Sequence, residues 1–195
     1  MSVTDLKHYV RCYDADLEPG FCEQLVASFH SSSTWHTRNG MGARAGLEHS
    51  AWTELNVSKL ADPAFKGFFI QHMQQALTRY NRDIGLSAEV PWRPRMADLR
   101  IKQYRAQAGD AFQPHFDACD EETGRYLVFL WYLNDVAEGG QTRFVDLDLE
   151  IAPRVGRLLM FPPYWMYMHA ALPPRSGDKY IISTYLEFTA KPLPG

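Results

Sequence analysis

The sequence predicts a mainly β chain fronted by helices, and three observations carry that prediction. Two segments before residue 85 place apolar residues at helical spacing behind a proline. From about residue 96 the pattern shortens into runs rich in β-branched and aromatic residues. Between the runs, punctuation is heavy at "RNGMGARAG", "AQAGD", "EGG", "FPP" and "LPPRSG", so the elements are short and joined by turns. A succession of antiparallel strands has to manage its edges, and a double-sheet jelly roll is one architecture that does so.

The first helix opens at Pro19 in "EPGFCEQLVASF", where Phe21, Leu25, Val26 and Phe29 share a face. Asp62 and Pro63 cap and start the second. Its stripe is Phe65, Phe68, Phe69, Met73, Ala76, Leu77 and Tyr80, and Gly85 stops it. The first strand is "MADLRIKQY", with Leu99 and Ile101 alternating with Asp98, Arg100 and Lys102. "RYLVFLWYLN", "GRLLMF" and "KYIISTYLEF" follow. On the last, alternation sets Lys179, Ile181 and Ser183 against Tyr180, Ile182 and Thr184. The expected organisation is one domain over 1–195, with a helical support region at 1–95 and a β core at 96–190.

Apolar residues make up 46% and charged residues 22%, ordinary values for a globular chain. A net charge of −3 gives no electrostatic reason to expect a nucleic-acid partner. Cys12, Cys22 and Cys119 form neither a CxxC pair nor an even disulfide framework, which fits reduced thiols in a cytoplasm. The segment "MSVTDLKHYV" lacks the apolar run of a signal peptide, and no window is apolar enough to span a membrane. The expectation is a soluble, cytoplasmic protein.

The chemistry starts at "QPHFDACD", where His115 and Asp117 stand two positions apart. A strand would turn both to one face, but the pair carries little information without partners. His169, in "YMHAALPP", offers a second imidazole. Two imidazoles and one carboxylate are the facial set that holds non-haem Fe(II) and leaves positions open. The same set can hold zinc, although structural zinc sites favour four ligands with thiolates among them. Cys119, close to Asp117, is expected to have no role. Lys179 on the inward face would call for an anion, because a buried ammonium is costly unless it is neutralised.

These residues fall in a familiar order. Tyr104, Gly109, "HFD" at 115–117, Arg125, "YLN" at 132–134 and "GGQT" at 139–142 are followed by Phe144, Pro153, Gly156, His169, Gly177 and "KY" at 179–180. Over residues 97–188 the sequence resembles the prolyl 4-hydroxylase-like branch of the Fe(II)- and 2-oxoglutarate-dependent oxygenases. The resemblance implies a double-stranded β-helix, a cupin-like jelly roll, with His115, Asp117 and His169 as catalytic metal ligands on Fe(II). It implies that Lys179 pairs with the far carboxylate of the cosubstrate 2-oxoglutarate, and that Tyr104, Tyr132 and Ser183 assist. O2 is the second cosubstrate and ascorbate an auxiliary reductant. Decarboxylation of 2-oxoglutarate to succinate and CO2 would accompany hydroxylation of an unactivated C–H bond. Family halogenases replace the carboxylate ligand with a small residue, so Asp117 points to hydroxylation.

The resemblance puts a peptidyl prolyl residue first as substrate. A free amino acid or another small metabolite is the alternative, and a non-catalytic metal-binding jelly-roll module is the alternative from another class. Tyr185 departs from the family, which commonly carries Trp there. Trp165, Tyr167 and Met168 are candidates either to line a substrate channel or to fill the core. The glycine- and arginine-bearing loop 33–50, with Arg38, Gly40, Gly42, Arg44 and Gly46, is a candidate lid.

Overall fold

A computed structural model describes residues 5–42, 47–92, 95–119 and 122–188. The two expected helices form where their caps predict. Helix α1 spans Pro19–Ser31 with proline in its first turn. Helix α2 spans Pro63–Ile84. The Asp62 carboxylate accepts from the Phe65 amide at its start, and left-handed Gly85 closes it.

Among the described residues, eleven strands make two antiparallel sheets. They are β1 (Arg11–Tyr13), β2 (Thr37–Gly40), β3 (Ala51–Asn56), β4 (Arg100–Tyr104), β5 (Phe112–His115), β6 (Arg125–Tyr132), β7 (Thr142–Phe144), β8 (Leu149–Ile151), β9 (Leu158–Phe161), β10 (His169–Ala171) and β11 (Lys179–Glu187). The large sheet runs β1-β9-β6-β11-β4-β3-β2 and the small one β5-β10-β7-β8. This is the expected jelly roll with one refinement: the N-terminal part read as helical also supplies β1, β2 and β3 to the large sheet. These strands are short and partly polar ("RCY", "TRNG"), and their pairing partners lie far along the chain, so no local period announces them.

The large sheet is covered on both faces. On one, Leu25 and Phe29 of α1 and Phe69, Met73, Leu77 and Tyr80 of α2 pack against Ile101, Phe129, Trp131, Met160, Tyr180 and Ile182. On the other, Tyr104, Val128, Leu130, Phe161, Ile181 and Tyr185 meet Phe144 of the small sheet. Double coverage explains why β6 reads as an almost unbroken apolar run. Asp16 ties the β1–α1 turn into the helical face. Its buried carboxylate accepts from Trp131 Nε1 at 2.8 Å and pairs with His72 at 2.7 Å and with Arg79.

Part of the candidate lid is ordered sheet. Residues 37–40 are strand β2, and Arg38 grips the buried carboxylate of Asp110 at 2.5 and 2.7 Å. Arg44 and Gly46 lie outside the described residues. Tyr167 belongs to the core and Trp165 is exposed, so the former is packing.

Candidate metal and cosubstrate site

Strands β5 and β10 are neighbours, and their register sets His169 directly opposite His115. Asp117 is not on the strand with His115, as strand alternation had suggested. β5 ends at His115, and the amides of Asp117 and Ala118 both donate to the Pro163 carbonyl at 3.0 Å. The loop that follows β9 thus folds the carboxylate back onto the imidazoles. His115 Nε2 is 3.7 Å from Asp117 Oδ1, and His169 Nε2 is 3.5 Å from Oδ2. One ligand atom from each of the three residues lies within 4.8 Å of the others.

The hydrogen bonds fix what each ligand presents. His115 Nδ1 is 2.9 Å from the Gln113 carbonyl and His169 Nδ1 is 3.0 Å from the Tyr167 carbonyl. A carbonyl can only accept, so both Nδ1 atoms carry the proton and both Nε2 atoms present a bare lone pair to the shared centre. Burial, helped by the neighbouring His169, pushes His115 down to about 3, so it is neutral at physiological pH. Burial alone would raise the Asp117 carboxyl, but the two imidazoles, Lys102 and Arg125 outweigh it and hold it below the usual range. Neutral imidazoles and an ionised carboxylate are the ligand state a divalent cation requires. The donor set therefore fits Fe(II), and it leaves coordination positions for a chelating cosubstrate.

Deeper in the same cavity lies Lys179, 1% exposed. Its ammonium donates to the Gly140 carbonyl at 2.9 Å and sits 4.4 Å from the Tyr104 ring centroid. Gly139 and Gly140 both hold positive φ, and a side chain on Gly139 would meet the Pro173 carbonyl at 2.4 Å. The "GGQT" turn can therefore present that carbonyl only with glycine. Burial, with the like charge of Lys102 adding, pulls the ammonium down to about 7. A buried cation whose hydrogen bond goes to a neutral carbonyl suits an incoming carboxylate. The far carboxylate of 2-oxoglutarate meets that requirement. When bound, Fe(II) and 2-oxoglutarate would supply the electrons that activate O2, the oxidant, and the protein would position and shield the reacting groups.

The other expected residues separate. Tyr104 lines the cavity beside Lys179, and Ser183 lies where that cavity joins an outer recess. Tyr132 does not reach the lining. Its hydroxyl donates to Thr142 Oγ1 at 2.7 Å, and it is Thr142 that faces inward. Cys119 is not among the three residues that could hold a metal ion, and its thiol is 3.6 Å from the Phe116 carbonyl.

Sequence reasoning missed several residues here. Tyr185 Oη donates to Asp117 Oδ1 at 3.1 Å, and Arg125 stacks on the Tyr185 ring at 3.9 Å while donating to the Asp117 carbonyl at 3.1 Å. The Tyr-for-Trp departure was the available signal for the first. Lys102, Trp52, Glu54 and Phe112 line the recess as well. Lys102 had been read as the polar half of an alternating strand. The alternation is real, but that half looks into the barrel with Tyr104.

Residues 99–187 match the 2OG-Fe(II) oxygenase superfamily. Among curated proteins none matches. The fold is that of solved prolyl hydroxylases. The viral collagen prolyl hydroxylase of Paramecium bursaria Chlorella virus-1, in its 2OG complex, is 21% identical with a TM-score of 0.63 over 91% of this chain and 94% of that one. A Pseudomonas putida prolyl-4-hydroxylase is 18% identical with a TM-score of 0.67 over 94% of each chain. A Trichoplax adhaerens prolyl hydroxylase, in complex with a hypoxia-inducible-factor peptide fragment, is 17% identical with a TM-score of 0.70 over 91% of this chain and 83% of that one. Family match, ligand triad and buried lysine agree: residues 99–187 are a 2OG-Fe(II) oxygenase domain, which makes the protein a 2-oxoglutarate-dependent dioxygenase, built on the fold that the solved prolyl hydroxylases share.

Proposed function

We propose that the protein hydroxylates a prolyl residue in a peptide, converting 2-oxoglutarate to succinate and CO2 as it does so. The observation that carries this reading is the recess of about 260 Å³ beside Asp117, where Trp52, Phe112 and Tyr185 line it together with the charged Glu54, Arg100, Lys102 and Arg125. Aromatic rings next to the metal ligands suit a compact apolar ring such as that of proline. The solved structures that share the fold are prolyl hydroxylases, and one holds a peptide fragment. In this reading His115, Asp117 and His169 hold the metal, Lys179 anchors 2-oxoglutarate with Tyr104 beside it, and Ser183 serves the junction with the substrate recess.

The recess is smaller than the roughly 300–1,000 Å³ of drug-sized ligand sites, which favours a second reading in which the substrate is a free amino acid or similar small molecule. Succinate release and a mass gain of one oxygen atom, measured across proline-containing peptides and free amino acids, decide between them. Stimulation confined to free amino acids would overturn the peptide reading. Within the described residues no helix is long and apolar enough to cross a membrane. Three cysteines, too few and too irregularly spaced for a disulfide framework, support a reducing cytoplasm as the compartment.

A further inference from the structure

Lys102 occupies the boundary between the metal cavity and the outer recess and lines both. It projects from β4 opposite Glu54 on β3 and Ile181 on β11. Its ammonium lies 5.7 Å from the Trp52 ring centroid and 5.9 Å from that of Phe112. Those rings stack at 4.5 Å, and Phe112 stacks in turn on the ligand His115 at 3.6 Å. The lysine is thus held at the edge of an aromatic stack that ends on the metal site.

Each carboxylate around it is engaged elsewhere. Glu54 gives Oε1 to Arg100 at 2.5 Å and Oε2 to Trp52 Nε1 at 3.2 Å. Asp117 is a metal ligand and also accepts from Tyr185. Glu122 faces Arg125 at 3.4 Å. Among the described residues the Lys102 side chain makes no hydrogen bond or close ion pair: Glu54 and Asp117 act on it only through space, and its ammonium lies against the two ring faces. The charge balance agrees. The cations lining the two connected spaces are Arg100, Lys102, Arg125 and Lys179, and the carboxylates are Glu54, Asp117 and Glu122. A divalent metal and dianionic 2-oxoglutarate cancel each other, so one positive charge remains, beside the recess.

We infer that Lys102 anchors a carboxylate carried by the prime substrate, so that the molecule oxidised here bears a negative charge close to its reacting carbon. The inference rests on the hydroxylase reading and narrows its substrate class. The carboxylate has two sources: an acidic residue next to the target proline in a peptide, or the α-carboxylate of the target amino acid itself. A charge-assisted hydrogen bond in a partly desolvated site makes the carboxylate bind roughly 10- to 100-fold tighter than its amide.

The test uses the protein loaded with Fe(II) and 2-oxoglutarate without oxygen. Four probes are titrated by calorimetry: a capped tripeptide with glutamate after proline, its glutamine counterpart, free L-proline and L-prolinamide. The expected result is that one acid binds about 10- to 100-fold tighter than its amide, with the pair concerned naming the source. Lys102→Met should erase that preference and Lys102→Arg retain it, with 2-oxoglutarate chelation monitored in each variant. Equal binding of acid and amide in both pairs, or a preference that survives in Lys102→Met, overturns the inference and leaves the hydroxylase reading standing. Failure of the wild-type protein to bind 2-oxoglutarate in an Fe(II)-dependent manner would strike the hydroxylase reading itself, and the inference with it.

Discussion

The Tyr185 hydroxyl donates to Oδ1 of Asp117 at 3.1 Å, while Oδ2 of the same carboxylate lies 3.5 Å from His169 Nε2. Arg125 supports the arrangement from beneath, since it stacks on the tyrosine and holds the Asp117 main chain. Carboxylate direction and backbone position are therefore fixed together.

Tyr185→Phe removes that bond and keeps the ring stack. Fe(II) affinity should fall about tenfold, at the lower end of what loss of an outer hydrogen bond to a metal ligand costs. A metal titration in the absence of cosubstrate measures it, and an unchanged affinity would show that the bond does not position the ligand.

Lys179→Ala should weaken 2-oxoglutarate binding roughly 10- to 100-fold, from the ~1.5–3 kcal/mol of a hydrogen bond between charged groups. Fe(II) binding should persist, because the lysine is not among the ligands. Equal cosubstrate dissociation constants in mutant and wild type would remove Lys179 from the site.

The same lysine sets a pH dependence. With its ammonium pulled down to about 7, Lys179 is largely neutral above that pH in the free protein and charged once a carboxylate is bound. Binding of 2-oxoglutarate should then take up a proton above about pH 7, and affinity should fall with rising pH by up to about tenfold per unit. Below that pH the lysine is already charged and the dependence vanishes. Calorimetry in buffers of different ionisation heat reads the uptake directly, and none at about pH 8.5 would contradict the assignment.

Asp16 gives a prediction about stability. Its buried carboxylate is bonded by Trp131, His72 and Arg79, so Asp16→Ala leaves the buried indole donor without a partner, while the Arg79 side chain, 36% exposed, keeps water. A loss of about 1–3 kcal/mol is expected in denaturant unfolding. A loss below about 1 kcal/mol would mean that water replaces the carboxylate there.

Much of the site could be read in the sequence because a strand has a period of two. That period places Lys179, Ile181 and Ser183 on one face of β11, and both the lysine and the serine line the cavity. The caps at Asp62 and Gly85 were equally legible, since capping depends on residues adjacent in the chain. Lys102 was not, because alternation separates two faces without saying which one another sheet covers. Asp117 reaches the imidazoles through Pro163, a contact 46 residues away in sequence that no local period encodes. Tyr132 shows the converse: it lies on the inward face of its strand, yet Thr142 stands between it and the cavity.

The most direct test of the account is succinate formation from 2-oxoglutarate by metal-stripped protein given Fe(II), ascorbate and oxygen, comparing wild type with His115→Ala. The expected result is succinate that requires Fe(II) and disappears in the variant. Equal succinate formation in the variant, or succinate that forms without Fe(II), would contradict the assignment of His115, Asp117 and His169 as the metal site.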